Sequence, residues 1–219
     1  MSILITAATD MEMRAFIDAG GDLEHTCSLI TGIGPVETAL SLSRMLHKEG
    51  VVDYVLNFGV AGAYSENNTA VQAGVLDICL AEEEVFGDLG IQLSDRVERF
   101  GAELPVRDRF VLDRTLLSVA SETLDTIGVP YKKGVFVTVS CCSGTQKRGR
   151  ALGRQFQGLC ENMEGAAAAR VCEQFSLPCL EVRCVSNMVE DRNKKHWKLR
   201  QACAEAGRAA AAIVRSACL

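Results

Sequence analysis

Four short stretches hold the side chains whose types and spacing could do chemistry. Ala8-Thr9-Asp10-Met11-Glu12 places two carboxylates within three positions, directly after an apolar run. Asn57-Phe58-Gly59-Val60-Ala61-Gly62 closes a second apolar run with two glycines, which let a ligand approach the backbone closely. Glu161-Asn162-Met163-Glu164-Gly165 stands before the small-residue run AAAAR. Ser186-Asn187 follows the very apolar stretch CLEVRCV. A carboxylate such as Glu164 has two acceptor oxygens, which suit the two hydroxyls of a diol. The amide of Asn187, both donor and acceptor, suits either a cap or the polar edge of a base. Each stretch also has a plain structural use: Asp10 as a helix cap with Glu12 favouring the positive helix end, the glycines as a tight turn, Glu164 at a helix start. There is no GxSxG and no HExxH, and His25, His47 and His196 lie away from these stretches, so any chemistry falls to the carboxylates.

The elements that must position these groups follow from apolar periodicity. Residues 2–8, 25–31, 53–60, 74–82, 134–140 and 179–186 read as strands, several apolar on both faces. Residues 11–19, 36–48, 113–127 and 195–216 read as helices, the last with Trp197 near its start. In TGIGP, at 31–35, Gly34 suits a turn and Pro35 the first helical turn. Strands alternating with helices predict an α/β fold, a sheet covered by helices on both sides. With no linker, low-complexity tract or internal repeat, residues 1–219 read as a single domain. In such sheets ligands bind at the carboxyl ends of strands, where the four stretches lie.

Composition narrows the function. The chain has 219 residues, with 23 Lys plus Arg against 28 Asp plus Glu for a net charge of −5, which disfavours nucleic acid as a partner. It is 48 % hydrophobic and 23 % charged, ordinary globular composition. A chain of this size buries roughly 70 % of its unfolded surface and needs no disulfide or metal to hold a core. The N-terminus lacks a basic n-region and a full apolar h-region, and there is no run of about 18 apolar residues. The expectation is a cytoplasmic protein without membrane attachment. Of the ten cysteines, most sit in apolar segments and read as buried reduced thiols, with no CxxC pair and no zinc spacing. Cys141-Cys142 is the pair whose role stays open.

Taken in order, ATDMEM, TGIGPVETA, LNFGVAGAY, NMEGAAAA and VRCVSN span nearly the whole chain. Together they resemble the purine nucleoside phosphorylase/nucleosidase superfamily, on its hydrolase branch. LAEEEVFGDLG and RCVSNMVEDRNKKHW look most like the futalosine hydrolase group of the alternative menaquinone route. The resemblance implies a three-layer αβα fold with a mixed central sheet, usually assembled as a homodimer or larger homo-oligomer. It implies cleavage of an N-glycosidic bond in a small nucleoside through a ribosyl cation-like state, with no metal or organic cofactor. For futalosine the products would be hypoxanthine and dehypoxanthine futalosine. Carried over by residue, Glu12 looks like the base that activates water and Glu164 like the carboxylate that grips the ribose hydroxyls, with Met163 under the sugar. Phe58, Gly59 and Gly62 resemble the segment lining base and ribose. Ser186 and Asn187 fall where the purine is contacted, and Val139 to Ser143 matches the base-stacking segment loosely.

One departure points to the base. Adenine-specific nucleosidases have an Asp where this chain has Asn187, and an amide suits the oxo group of hypoxanthine better than it suits a 6-aminopurine. Asp10 and Glu12 would repel phosphate, favouring water as nucleophile over phosphorolysis. The benzoate of futalosine calls for an arginine, with Arg192, Arg96, Arg107 and Arg109 as candidates. The competing readings are an aminodeoxyfutalosine or methylthioadenosine nucleosidase, a phosphate-dependent phosphorylase, and a silent nucleoside-binding protein on the same fold.

Overall fold

A strand buried along its whole length needs cover on both faces, and β1 (Ile3–Ala7) is buried at all five positions. The computed structural model, which describes residues 2–21, 24–48 and 52–217, supplies that cover with helices on either side of a mixed sheet. After β1 come α1 (Asp10–Asp18), β2 (Thr26–Ile30), α2 (Pro35–Lys48), β3 (Tyr54–Ala63) and β4 (Ile78–Phe86). Three short strands follow: β5 (Ile91–Gln92), β6 (Val97–Glu98) and β7 (Arg109–Val111). Then come α3 (Arg114–Thr126), β8 (Tyr131–Thr138), α4 (Gln146–Phe156), β9 (Gly158–Asn162), α5 (Gly165–Gln174) and β10 (Cys179–Met188). A 3-10 turn at Lys194–His196 leads into α6 (Leu199–Ala217).

The main sheet runs β10-β4-β8-β9-β3-β1-β2, with β7 on β4, and β10 pairs a second time with β3. β3 is parallel to β1 and β10 and antiparallel to β9. Its first residues bond β1 and its last bond β9. The strands β3, β9, β8, β4 and β10 therefore close into a ring, which gathers the ends of β3, β9 and β10 at one place. Alternation along the strands sorts the core into layers. Ile3, Ile5, Phe58 and Val182 pack with Phe16, Leu124 and Ile213 under α1, α3 and α6. Leu4, Val55 and Val185 pack with Leu42 and Ala168 under α2 and α5. Val137 and Tyr64 pack with Leu152 and Phe156 of α4. The fold is the expected three-layer αβα arrangement with a mixed central sheet. Cys79, Cys160, Cys172, Cys179, Cys184 and Cys203 are buried free thiols, as their apolar surroundings predict.

Several elements differ from the sequence reading: β5, β6 and β7 have no counterpart in it, and β8 begins at Tyr131 instead of at 134. The strand expected at 74–82 begins only at Ile78, because residues 74–77 form a turn. In it the Asp77 carboxylate accepts from Gly74 N and Leu76 takes a positive φ of 73°. The helix expected at 195–216 begins at Leu199, and Trp197 stands before it in extended backbone, since the Asn193-capped 3-10 turn ends there. Helix α4 has no counterpart in the sequence reading; its strongly polar sequence, with Gly149 and Gly153, hides the narrow apolar stripe of Leu152 and Phe156.

Candidate active site

The strand ends gathered by the ring surround a cavity of about 340 Å³. It is lined by the start of α1, the end of β3, the β9–α5 junction, the end of β10, and Trp197 with the first turn of α6.

Glu12 enters it from the first turn of α1. Thr9 is the N-cap, with its side chain facing Glu12 N and the Glu12 side chain reaching back to Thr9 N, a reciprocal capping box. Asp10, expected as the cap, is exposed and instead pairs with Arg14 at 2.8 Å. Glu12 Oε2 accepts from Thr9 N at 2.9 Å and Thr9 Oγ1 at 2.7 Å, and Oε1 accepts from Val60 N at 3.1 Å. The carboxylate lies so close to β3 that a Cβ on Gly59 would stand 2.5 Å from Glu12 Oε1 and 2.8 Å from Arg183 Nη1. Gly59 thus makes room for both charges from behind the wall.

Glu164 occupies the β9–α5 junction. It is the N-cap residue of α5 by position, yet its side chain caps nothing. Asn162 does that work: its Oδ1 accepts from Glu164 N at 2.9 Å and Gly165 N at 2.8 Å, while Thr138 Oγ1 takes Ala166 N at 2.7 Å. The Glu164 carboxylate is thereby left for the cavity. Its Oε1 accepts from Gly34 N at 3.1 Å and its Oε2 from Arg183 Nη1 at 3.2 Å. Gly34 presents that N–H from a φ of 96°, a conformation that favours glycine.

Arg183, which the sequence reading passed over, joins these groups. Fully buried on β10, it donates from Nε to Glu181 Oε1 at 2.8 Å as well as to Glu164. Burial alone would lower its pKa, but Glu181, Glu164 and Glu12 outweigh that and raise it. Behind it Glu181 faces Glu84, which accepts from Thr138 and Asn162. Burial, and then the neighbouring Glu181, hold the Glu84 carboxyl well above the usual range. Glu181 Oε2 has no hydrogen-bond partner among the described residues, and burial pushes the Glu181 carboxyl up as well, against the lowering effect of Arg183. The signal was legible: Glu181 and Arg183, two apart in an apolar strand, must share a face.

The other end of the cavity is built by Gly62, Ser143, Glu161, Ser186 and Asn187. A register shift between Val185 and Asn187 on the β3 side lets β10 turn both Ser186 and Asn187 to the cavity. Ser186 Oγ donates to Asn187 Oδ1 at 2.8 Å, and Asn187 Nδ2 donates to Met188 O at 3.0 Å. Met163 lines the wall beside Glu164, and Cys142 and Cys203 also reach it, burial pushing their thiols up to about 11 and about 12.

Of the eight residues singled out, the structure gathers Glu12, Gly62, Met163, Glu164, Ser186 and Asn187 around one cavity. Phe58 is a correction: it is fully buried, stacks on Phe16 with ring centroids 5.5 Å apart, and belongs to the core face of β3. It lies further back along β3 than the cavity reaches, since the lining on that strand begins at Val60. Gly59 likewise backs the cavity without lining it. Among the four candidate arginines, Arg192 lines the cavity and lies over the Trp197 ring, 5.3 Å from its centroid. Arg96, Arg107 and Arg109 pair with Asp95, Glu173 and Glu83 on other surfaces.

Comparison with known proteins finds relatives of this chain in sequence and in fold. The sequence profile of the phosphorylase superfamily matches residues 21–218. A futalosine hydrolase of Thermus thermophilus is 34 % identical over 185 residues, covering 83 % of this chain and 77 % of that protein. A 5′-methylthioadenosine/S-adenosylhomocysteine nucleosidase of Bacillus subtilis is 27 % identical over 172 residues, covering 77 % and 71 %. A futalosine hydrolase mutant structure from Helicobacter pylori superimposes with a TM-score of 0.84, covering 98 % of this chain and 99 % of that one at 21 % identity.

Proposed function

The chain belongs to the phosphorylase superfamily, and from that premise we propose that it is a nucleoside N-glycosidase that hydrolyses futalosine to hypoxanthine and dehypoxanthine futalosine. The observation that carries this reading is the pair Glu12 and Glu164, both buried, both lining one cavity and both beside Arg183.

Bond cleavage leaves positive charge on the ribose and carries the electron pair away with the base. Each Glu164 oxygen already accepts one hydrogen bond and keeps lone-pair capacity for the ribose hydroxyls, so the carboxylate grips the sugar as its charge grows. Glu12, fixed by Thr9 and Val60, takes the proton of an attacking water. Met163 packs under the sugar, and the Asn187 amide and Ser186 hydroxyl meet the departing purine. Water is favoured over phosphate because three acidic side chains, Glu12, Glu161 and Glu164, line the cavity. Arg183 is already engaged by two carboxylates, and Arg14 is drawn off by Asp10 outside the cavity. Arg192, stacked on Trp197, is the group we assign to the benzoate.

We read residues 1–219 as a single nucleosidase domain working in the cytoplasm on the menaquinone route. A homodimer or larger homo-oligomer fits the exposed apolar face of α2. Val36 and Leu40 are 76 % and 63 % exposed there, next to Ile33, which is 58 % exposed and also lines the cavity. Analytical ultracentrifugation gives the assembly state directly.

The deciding experiment incubates the purified protein with futalosine in phosphate-free buffer and identifies the released base. Hypoxanthine is expected. Activity confined to aminodeoxyfutalosine or methylthioadenosine would move the substrate, strict dependence on phosphate would move the nucleophile, and silence on all nucleosides would favour a binding protein.

A further inference from the structure

The cavity holds a third buried carboxyl group, Glu161, that glycosidic cleavage as described does not use. It sits on β9 opposite Gly62, and Gly62 in turn pairs with Asn187 on β10, so the three residues share one rung across the sheet. The point where a Cβ on Gly62 would stand is 3.5 Å from Glu161 Cγ and 3.4 Å from Asn187 Nδ2. The carboxyl and the amide therefore flank one bare patch of backbone.

The surroundings of Glu161 differ from those of the other acidic groups. It is 6 % exposed and makes no ion pair among the described residues; its Oε1 accepts from Ser143 N at 2.8 Å and its Oε2 from Tyr64 OH at 3.2 Å. Burial raises its pKa, and the Ser143 and Tyr64 donors, with the more distant charge of Arg148, oppose that push without cancelling it. A carboxylate with one donor on each oxygen retains acceptor capacity on both. Burying such a group without a cation bonded to it is costly, and a neutral side chain would fill the same space.

We propose that Glu161 is a specificity-determining residue whose carboxylate accepts the ring N1–H of a 6-oxopurine while Asn187 donates to the neighbouring C6 carbonyl. This rests on the nucleosidase reading and deepens it by naming how the base is read. The amide–carbonyl edge of a 6-oxopurine presents a donor beside an acceptor, the complement of a carboxylate beside an amide. A 6-aminopurine turns a bare ring nitrogen toward the carboxylate, lone pair against lone pair. Sites built to hydrogen-bond a particular ligand group reject analogues that lack it far more strongly than apolar pockets do.

The test measures binding of the free bases hypoxanthine and adenine by calorimetry to the wild type and to Glu161→Gln, with thermal melting as the check on folding. Gln keeps the shape and can still accept from Ser143 N, but its amide can also donate to a bare ring nitrogen. The wild type is expected to prefer hypoxanthine at least tenfold, and Glu161→Gln to bring the two bases to near parity or to reverse them. A preference unchanged in the variant, an equal loss for both bases, or a wild type without preference would each overturn the proposal. Turnover of futalosine is followed separately: if the wild type binds hypoxanthine selectively but cleaves nothing, the catalytic reading fails while base recognition by Glu161 stands. If Glu161→Gln does not fold, Glu161→Ala is paired with hypoxanthine and 1-methylhypoxanthine. Loss of the wild type's discrimination between these two supports the proposal, and its retention overturns it.

Discussion

The two ends of the cavity handle buried charge in opposite ways. At the sugar end Glu164 is paired with Arg183, Glu12 lies beside that guanidinium, and both accept backbone N–H groups. At the base end, among the described residues, the hydrogen-bond partners of Glu161 and Asn187 are neutral: two hydroxyls, a backbone amide and a carbonyl. Compensated charges at fixed positions suit stabilisation of a charge that develops during reaction. Neutral partners with unused hydrogen-bonding capacity suit discrimination among uncharged bases. Changes at the sugar end should therefore cost rate or fold, and changes at the base end should alter the choice of base.

The largest effect is expected from Glu12→Gln, which keeps the shape but cannot accept the water proton. Turnover should fall by about 10²–10⁴ while calorimetric binding of the nucleoside persists; equal turnover in the variant would remove Glu12 from the reaction. Next is Arg183→Met, which strands Glu181 and Glu164 as buried carboxylates without their cation. Breaking a buried pair from one side costs about 3–5 kcal/mol, read as a drop in the urea midpoint at unchanged m-value. If stability were unaffected, the paired-charge description of the sugar end would be wrong. At the base end, Asn187→Asp should lower the ratio of futalosine to amino-analogue turnover by roughly tenfold, and a ratio that does not move refutes the assignment of Asn187. At the mouth, Arg192→Ala should raise KM for futalosine about tenfold, the worth of one charge-assisted bond. A substrate lacking the benzoate should be indifferent to that change.

The smallest effect concerns the acid pair behind Arg183. The Glu84 carboxyl is raised in the folded state, so the stability it contributes is complete below its unfolded pKa, about 4.3. That contribution is lost as the pH rises from there through the raised folded value. Glu84→Gln supplies a permanent donor to Glu181 and should flatten this decline. The variant should melt a few degrees above the wild type in alkaline buffer, at about 2–4 °C per kcal/mol for a domain of this size. At acid pH the two should converge, and parallel melting curves across the whole range would show that no proton is held there.

Much of this arrangement is legible in the sequence. β1, α1, α2 and α3 appear within a residue or two of their expected bounds, because apolar period and cap chemistry agree there. Glu12, Glu164 and Asn187 are legible as cavity residues because they stand at strand ends. A strand-end position alone does not tell which way a side chain points or how far along the strand the cavity reaches. Counting by twos along β3 puts Phe58 with Tyr54 and Leu56 on the core face. The same count along β10 puts Glu181 and Arg183 together in the interior. Glu161 was visible in its motif, but its meaning depends on the pairing of β9 with β3, which no local pattern encodes. The sequence pattern places Trp197 in the last helix, because nothing in it marks Asn193 as the cap of a separate short turn.

The takeover of helix capping by Asn162 separates inheritance of the scaffold from inheritance of the reaction. The first amide groups of α5 are held by Asn162 and Thr138, so residue 164 carries no obligation to the strand–helix junction. A descendant of this chain can exchange the functional group at that position and keep the junction's hydrogen bonds as they are. The backbone junction and the functional group are thereby carried by different residues, while position 164 answers to Arg183 and Gly34 instead of to the helix it precedes.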